Sequence, residues 1–479
     1  MTSLSPPPTG SGRVMTLVTL GFAVWLHAAS SMLAATTVPR AIEEIGGAAL
    51  LGWAFMLYQL GSIVAGAACA IVVQRMRLRN ALALAAVGYA FGCMVCAFAP
   101  HFVVLLIGRT LQGAGGGALV ALTFVALHRL FTPEQIPRVM ALISTVWSVS
   151  AFCGPVVGGS FATYSSWRFA FVAFAVQAVA FVVVVRALRL DVAEARHDES
   201  VRFPLQRLAM LAIAVLLIGG TGVVLHPVAS TLMAIGALWL FYLFVKRDGQ
   251  SGRARMLPAR PWDPRGTLGA GYCLIVLGFI STMSFLVYGP LLLEQLHGVT
   301  PLSAGYIVAL ESIGWGAMAV IVSRCGSVVE PWLIRLGPFV IGGAMVGFAV
   351  LMPTGPLAAI VICAIAQGAG FGMMFSFIVK RIVAAAEPEE RDVAATAIAA
   401  VQQIAMAIGA AVVGIVGNLA GFADGVSQAA AAQAATWVFA AFVPLALPAV
   451  LVAMRLAHAR GTGSTSRQTR RQAKQPEKY

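Results

Sequence analysis

One acidic and one strongly basic side chain lie deep within long apolar segments of this sequence, and the acidic one is Glu311. It lies near the middle of the segment 303–323, and Trp315 follows it one helical turn later. An apolar surrounding favours the protonated form of a carboxyl group, so Glu311 is a candidate for binding and releasing a proton. A carboxylate and an indole on one helix face can also hold an organic cation. We predict that Glu311 couples proton and substrate binding; a structural carboxyl group that is hydrogen-bonded to its neighbours is the alternative.

Arg109 is the second such residue, well inside the segment 102–127. A guanidinium in an apolar helix is costly and by default marks a functional site. Gln112 and Gly113 share its helix face, so an amide can hydrogen-bond there and the glycine leaves room beside the guanidinium. His27 titrates in the range that proton coupling needs, although a core histidine with satisfied hydrogen bonds is the alternative. Further side chains that could line a cavity or join helices are Trp315, Tyr58, Gln59, Gln112, Gln367, Gln402 and Gln403.

A third pattern is a proline among glycines in the segment 139–162, at Gly154, Pro155, Gly158 and Gly159. Proline removes a backbone hydrogen bond and kinks a helix. Gly154 and Gly158 form a face of small residues that lets another helix approach closely. The pattern predicts a hinge that also seals against leaks, with ordinary glycine packing as the alternative.

Apolar segments must position all of these residues, because 59% of the 479 residues are apolar and only 10% are charged. Soluble domains are about 45–50% apolar and about 25% charged, so this composition predicts a membrane protein with many spans. A membrane-spanning helix needs about 20 apolar residues. Fourteen segments meet that requirement, and the sequence lacks the alternation typical of membrane barrels. The segments are 14–37, 49–73, 80–99, 102–127, 139–162, 168–189, 208–225, 227–245, 268–293, 303–323, 332–352, 355–379, 393–419 and 432–455.

The positive charges give the orientation of these spans. If both termini are cytoplasmic, 29 of the 32 Lys and Arg residues lie on that side, Arg40 and Arg168 lie outside, and Arg109 lies within a span. This asymmetry is the one that the positive-inside rule describes. It also explains the net charge of +14 without nucleic-acid binding, since the basic residues are spread over every cytoplasmic loop.

Two longer cytoplasmic loops divide the chain into six, two and six spans. This layout predicts an all-α transporter with two six-helix bundles, two extra central helices and a substrate site between the bundles. We assign 1–13 to a disordered tail, 14–190 to the N-terminal bundle, 191–262 to linkers and a two-helix hairpin, 263–456 to the C-terminal bundle and 457–479 to a basic disordered tail. The shorter count of twelve spans remains open if the hairpin 208–245 does not cross the membrane.

Other kinds of chemistry find little support in the sequence. No G-x-x-x-x-G-K-[ST] motif for binding phosphates is present, so we expect no use of ATP by this chain. The seven cysteines lie in or at the ends of spans, where neither disulfides nor a metal site are expected. We expect no enzyme activity and no cofactor, with a proton gradient as the source of energy.

On these motifs the chain resembles the major facilitator superfamily, and within it the drug/proton antiporter branch with fourteen spans. The resemblance covers residues 14–455. The G-P-x-x-G-G stretch at 154–159 resembles the antiporter motif of that branch, and Arg109 with Gln112 and Gly113 resembles its fourth-span motif, in which the Arg is linked to proton transfer. The stretch 401–409, with Gln402 and Gln403, resembles the motif of the penultimate span.

The chain departs from that family in two places. The loop 74–79 reads Q-R-M-R-L-R where the family usually has D-R-x-G-x-R, so Arg75 and Arg79 remain as conformational residues without the acid and the glycine. The branch often carries an Asp in the first span, and Ser30 stands at that position. Glu311 is the one acid that lies deep in a predicted span, so we expect it to replace that carboxyl group.

Residues and resemblance together predict a monomeric, proton-coupled antiporter of the bacterial inner membrane. It would export hydrophobic or amphipathic small molecules by alternating access, with Arg109 setting the proton affinity of Glu311, and its partners would be substrate, protons and lipids. Transport of an endogenous metabolite, such as a siderophore or an organic anion, is the alternative, because Arg109 without an acid in the first span suits an anion. A membrane sensor that transports nothing is a remote third reading.

Overall fold

The computed structural model describes residues 10–132, 135–188, 204–224, 226–252, 255–258, 261–326, 328–387, 390–422 and 428–458. In these ranges the regular structure is helical and no strand is present. The helices are α1 (Gly10–Ile45), α2 (Leu51–Arg75), α3 (Leu78–Ala97), α4 (Phe102–Leu130), α5 (Ile136–Tyr164), α6 (Trp167–Ala187), α7 (Leu205–Thr221), α8 (Pro227–Gly249), α9 (Thr267–His297), α10 (Pro301–Val322), α11 (Glu330–Leu351), α12 (Leu357–Ala385), α13 (Arg391–Leu419), α14 (Gln428–Ala440) and α15 (Ala446–His458).

The helices follow the fourteen predicted spans, and the predicted all-α class is confirmed. Thirteen helical stretches of the described chain are apolar and long enough to cross a membrane, and the shorter α7 is the remaining one. The last stretch is two helices, because the chain turns through a short 3₁₀ segment at Pro444 between α14 and α15. Most of the predicted tails, residues 1–9 and 459–479, and the linker 191–203 lie outside the described residues; α1 begins at Gly10 and α15 ends at His458.

The helices pack as two groups with a hairpin beside them. In what we call the N-terminal half, α1–α6, the extensive contacts are α2 with α4, α3 with α4 and α6, and α1 with α5. In the C-terminal half, α9–α15, α12 packs on α10 and α11, and α9 packs on α13. The halves meet where α5 lies against α10, α2 against α13 and α1 against α9, while the hairpin of α7 and α8 contacts α2 and α13 through α7.

The two ends of the helices differ in charge, and we name them accordingly. The basic side carries the connections that follow α2, α4, α6, α8, α10 and α12. These connections and the helix ends beside them together hold most of the Lys and Arg residues. The opposite side carries Arg40 and Arg168. We predict from the charges that the basic side is cytoplasmic.

Polar contacts join the two halves at the opposite side. Arg40 Nε lies 3.2 Å from Glu294 Oε2, which ties α1 to α9. Gln295 Nε2 donates to Glu43 Oε1 at 3.1 Å, and the backbone N–H of Leu302 donates to Thr163 Oγ1 at 3.0 Å. The halves are therefore fastened together at this side.

Along α5 the burial of one face shows how the halves separate toward the basic side. Pro155 and Gly159, which face α10, are buried, and Ala151 is half-buried. Ser148 and Ser144 continue the same face toward the basic side and are exposed. On α13 the burial of the face toward α2 changes in the same way: Ala410 is buried, whereas Ala399, nearer the basic side, is exposed. The space between the two halves is therefore closed at the opposite side and open at the basic side.

A buried acid fixes the connection that follows the hairpin. The Asp248 side chain is 1% exposed and accepts a hydrogen bond from Arg207 Nη1 at 2.6 Å. It also accepts hydrogen bonds from the backbone N–H groups of Met256 and Leu257. Breaking a buried pair leaves one charge uncompensated, which costs about 3–5 kcal/mol.

We expect Asp248→Asn to loosen the segment 255–258 without unfolding the bundles. Hydrogen exchange at the amides of Met256 and Leu257 should accelerate about tenfold or more, since about 1.4 kcal/mol corresponds to a factor of ten. Asp263→Asn is the control, because among the described residues the Asp263 side chain accepts a single local, exposed bond, from the Arg265 amide. Equal protection in both variants would show that Asp248 does not anchor this segment.

Candidate functional site

The proline of α5 leaves one backbone carbonyl group without its usual helical donor, at the seam between the halves. Pro155 has no N–H, so the carbonyl oxygen of Ala151 loses its usual helical donor. Ser312 Oγ of α10 donates to this oxygen at 3.4 Å, and Thr36 Oγ1 of α1 donates to the carbonyl oxygen of Pro155 at 3.0 Å. The segment of α5 around Pro155 is thus joined by hydroxyl groups to a helix of each half.

The glycines of the same motif allow this close packing. A Cβ on Gly154 would stand 2.6 Å from the carbonyl oxygen of Ala29, and one on Gly158 would stand 2.4 Å from Thr36 Oγ1, both on α1. Gly159 faces α10, and a Cβ there would stand 2.5 Å from the carbonyl oxygen of Pro301. The motif therefore packs α5 onto both halves where the opposite side is closed.

Arg109 lies in the interior of the N-terminal half, and its side chain is fully buried. Nε donates to the carbonyl oxygen of Ala54 at 3.3 Å, and Nη1 donates to Gln112 Oε1 and, at 3.5 Å, to the carbonyl oxygen of Ser30. The guanidinium carbon stands 4.1 Å from the ring centre of Tyr58. One side chain thus links α1, α2 and α4.

The charge of Arg109 has no carboxylate within ion-pair distance among the described residues. Its Nη2 atom is buried without a hydrogen-bond partner. The amide of Gln112 is fixed in turn, since its Nε2 donates to Cys93 Sγ at 3.1 Å. A Cβ on Gly113 would stand 2.0 Å from the carbonyl oxygen of Tyr58, so glycine is needed for the approach of α2 and α4.

His27 belongs to the same group, 1% exposed. Tyr58 Oη donates its single proton to the carbonyl oxygen of His27 at 2.8 Å and lies 3.0 Å from His27 Nδ1. With the hydroxyl proton used in that bond, the contact between Nδ1 and Oη is a hydrogen bond in the tautomer that carries its hydrogen on Nδ1. Trp147 covers the ring at 5.8 Å between centres. The arrangement is the one expected for a core histidine with satisfied hydrogen bonds.

We expect Arg109→Lys to destabilise the N-terminal half although the charge is kept. An ammonium group cannot donate in the directions of Ala54, Ser30 and Gln112 as the planar guanidinium does. The loss of a hydrogen bond from a charged group costs about 1.5–3 kcal/mol, so thermal unfolding should begin at a clearly lower temperature. Arg75→Lys, at an exposed position, is the matched control. Equal melting temperatures for the two variants would mean that these bonds do not stabilise the half.

Glu311 lies in the other half, where α10 meets α12. Gln367 Nε2 donates to Glu311 Oε1 at 2.8 Å, and a Cβ on Gly368 would stand 1.9 Å from the carbonyl oxygen of Glu311. The Glu311 side chain is half-buried, and no Lys or Arg of the described chain forms an ion pair with it. Ser312, its neighbour, is the residue that reaches α5. The carboxyl group is thus placed beside the seam of the two halves.

Aromatic rings surround the next turn of α10. Trp315 lies 4.8 Å from the ring centre of Phe371, 5.6 Å from that of Phe375 and 6.1 Å from that of Phe279. Trp315 is half-buried. An aromatic cluster near an unpaired carboxyl group can bind a lipophilic cation through its ring faces and its charge.

The structure does not bring all predicted residues together. Arg109 and Glu311 contact different sets of residues in different halves, so no contact supports the idea that Arg109 sets the proton affinity of Glu311. Gln59 and Gln403 lie at the seam of α2 and α13. Gln59 Nε2 is 3.5 Å from Met406 Sδ, and Gln403 Oε1 accepts a hydrogen bond from Ser62 Oγ at 3.2 Å.

The residues of the degenerate loop lie far from both groups, at the basic end of α2 and α3. Arg75 is exposed and Arg79 is half-buried. Gln74 has no described side chain, so the replacement of the usual acid has no structural account here.

Sequence reasoning missed Glu294, which is 9% exposed and paired with Arg40. Our predicted span ended at residue 293, whereas α9 continues to His297. A signal was available, since Glu294 follows the predicted span directly, Arg40 is one of only two basic residues on the opposite side, and a buried acid needs a cation.

A family model described as the Major Facilitator Superfamily matches residues 20–410. The chain belongs to the major facilitator superfamily. It is therefore a transporter with many membrane spans and not an enzyme, as the motifs predicted. Membership also agrees with the architecture of two helical halves that meet along α5, α10, α2 and α13.

Relatives within this superfamily are named as exporters of drugs. A probable multidrug-efflux transporter of Mycobacterium tuberculosis is 28% identical over 472 residues, which is 94% of this chain and 97% of the relative. The multidrug efflux pump SdrM of Staphylococcus aureus is 21% identical, over 76% of this chain and 80% of the pump. A solved bacterial homologue of the lysosomal transporter Spinster, in an inward-facing and unoccupied conformation, shares the fold with a TM-score of 0.66 and 13% identity, over 94% of this chain and 98% of that one.

Proposed function

We propose that this superfamily member is a proton-coupled antiporter that exports lipophilic or amphipathic small molecules, cations among them. Its place would be the bacterial inner membrane, where it would work as a monomer with the basic side toward the cytoplasm. The relatives named as multidrug transporters support the class of substrate. The coupling is argued from the residues of this chain.

The observation that carries the proposal is the position of Glu311. It is a half-buried carboxyl group with an amide partner and no cationic partner in the described chain, next to an aromatic cluster and one residue from the seam. Such a group can be neutralised by a proton or by a cationic substrate, but the two compete for the same charge. Competition for one carboxylate is the simplest physical basis for antiport.

The cycle follows from this competition. With the basic side open, a lipophilic cation enters, contacts the rings around Trp315 and replaces the proton on Glu311. The halves then rock so that the opposite side opens, and a proton from outside replaces the cation. The neutral carboxyl group returns to the first conformation, so one proton enters for each cation that leaves.

We assign Arg109 a structural role instead of the predicted one, which was to set the proton affinity of Glu311. The guanidinium is enclosed by α1, α2 and α4, and none of its surface is exposed in this conformation. We propose that it holds those helices in register as the half moves. An anionic substrate would need a cation open to the cavity, so the anion alternative lacks support at this residue.

Transport by the purified protein in proteoliposomes tests the function. Ethidium should accumulate in vesicles with an acidic interior and should not do so when a protonophore removes the pH gradient. Accumulation that ignores the gradient would contradict proton antiport. Movement of an organic anion but not of ethidium would favour a metabolite transporter, and the absence of flux for every probe would favour the sensor.

A further inference from the structure

One amide near the end of α13 joins three parts of the molecule. Asn418 is 7% exposed, and its Nδ2 donates to the carbonyl oxygen of Ala49 at 2.8 Å and to that of Gly222 at 2.9 Å. Ala49 precedes α2 in the N-terminal half, Gly222 directly follows α7 of the hairpin, and Asn418 belongs to the C-terminal half. An amide has two N–H groups, so both donors of Asn418 are used.

The hairpin packs differently on its two neighbours. A Cβ on Gly222 would stand 2.8 Å from the Cα of Ile415, so the backbones of α7 and α13 are in close contact. Toward α2, a Cβ on Gly219 would meet side-chain atoms, Sδ of Met56 at 2.8 Å and the ring of Trp53 at 3.3 Å. Flexible side chains can change rotamer as helices slide, whereas backbone contacts of this kind must be kept or broken.

A second contact ties the hairpin to α13 at the other end. Arg255 follows α8, and its guanidinium forms an ion pair with Glu390, the residue that precedes α13. Both side chains are largely buried, at 20% and 18% exposure. The hairpin is thus attached to α13 on the basic side as well as on the opposite side.

We propose that the hairpin moves with α13 as part of the C-terminal half, and that Asn418 is a positioning residue that holds the N-terminal half against this unit while the opposite side is closed. When that side opens, the bond to Ala49 is given up and the bond to Gly222 is kept. The proposal rests on the proposed alternating access but not on the identity of the substrate or on proton coupling.

Distances between spin labels test the movement. Phe98 and Thr354 are exposed at the opposite side of the two halves, and His226 is exposed in the turn of the hairpin. Cysteines at these positions, in pairs and in a protein without its native cysteines, are labelled and measured with and without ethidium at acidic and alkaline pH. We expect the Phe98–Thr354 and Phe98–His226 distances to change together and the His226–Thr354 distance to stay constant.

Variants of Asn418 test the bond itself. Asn418→Ala removes both donors, and Asn418→Asp removes them at nearly constant shape if the alanine variant fails to fold. Loss of one buried hydrogen bond should raise the population with the long Phe98–Thr354 distance about threefold to tenfold. It should change the maximal transport rate more than KM. Ser230→Ala is the control, because the bonds of Ser230 Oγ in the described chain stay within the hairpin, to the carbonyl oxygens of Thr221 and Val224.

Three results would overturn the proposal. The first is a constant Phe98–His226 distance while Phe98–Thr354 changes, which would place the hairpin with the N-terminal half. The second is an unchanged population in both Asn418 variants. The third is a Phe98–Thr354 distance that never changes, which would contradict alternating access as well and is thereby distinguishable from a failure of the hairpin's role alone.

Discussion

Replacement of Glu311 by Gln should abolish accumulation of ethidium driven by a pH gradient. The amide keeps the shape and can still bond to Gln367, but it cannot lose a proton, so binding of a cation no longer displaces one. We expect the gradient-driven rate to fall by at least about tenfold, which corresponds to about 1.4 kcal/mol. Exchange of ethidium without a gradient should fall less, because the aromatic cluster remains. The measurement is the initial rate of uptake into proteoliposomes with and without the gradient.

Glu387→Gln is the control for this variant, since Glu387 is an exposed acid at the basic end of α12. It should transport as the unaltered protein does. Thermal unfolding of both variants shows whether a lost rate is due to lost structure. A Glu311→Gln protein that folds and keeps the full gradient-driven rate would contradict the coupling role of Glu311.

Gly159→Ala should have the second large effect, through closure of the opposite side. Its Cβ would stand 2.5 Å from the carbonyl oxygen of Pro301, and backbone atoms cannot yield as a side chain does. Overpacking of this kind costs about 1–3 kcal/mol, and the halves can avoid it by staying apart at this side. We expect the rate of transport to fall about tenfold or more. A cysteine at Thr163, which bonds to Leu302 across the same contact, should become reactive toward a maleimide added from outside.

Gly316→Ala on α10 is the matched control, because a Cβ there meets no atom within 4 Å. The same methyl group is added, but to the part of α10 that faces open space in this conformation. A control with the same loss of rate would mean that any added methyl group on these helices disturbs transport. An unreactive Thr163→Cys in the Gly159→Ala background would show that closure does not depend on Gly159.

The fold could be predicted from the sequence because the membrane imposes strong and simple constraints. A span needs a minimum apolar length, and an error in the count would reverse the side of every later charge. The details that the sequence did not predict concern stretches of about one helical turn. Ending the ninth span at residue 293 excluded Glu294, and Pro444 divided the last span in a way that hydropathy does not show.

The sites could be predicted in part. Charged residues in apolar helices led to Arg109 and Glu311, and helical spacing correctly placed Gln112 beside Arg109. Spacing along the chain cannot tell which helices meet in space, so it did not show that Arg109 is enclosed within its own half. It also did not show that Asn418 joins the halves and the hairpin, since a single amide near a helix end carries no distinctive pattern.

Proton release on binding of substrate shows whether Glu311 exchanges a proton for the substrate. The purified protein, in detergent and a weakly buffered solution near neutral pH, is mixed with ethidium while the pH is recorded. We expect the unaltered protein to release protons as ethidium binds, and Glu311→Gln to bind ethidium more weakly and to release none. Equal proton release by both proteins would contradict the claim that Glu311 exchanges a proton for the substrate.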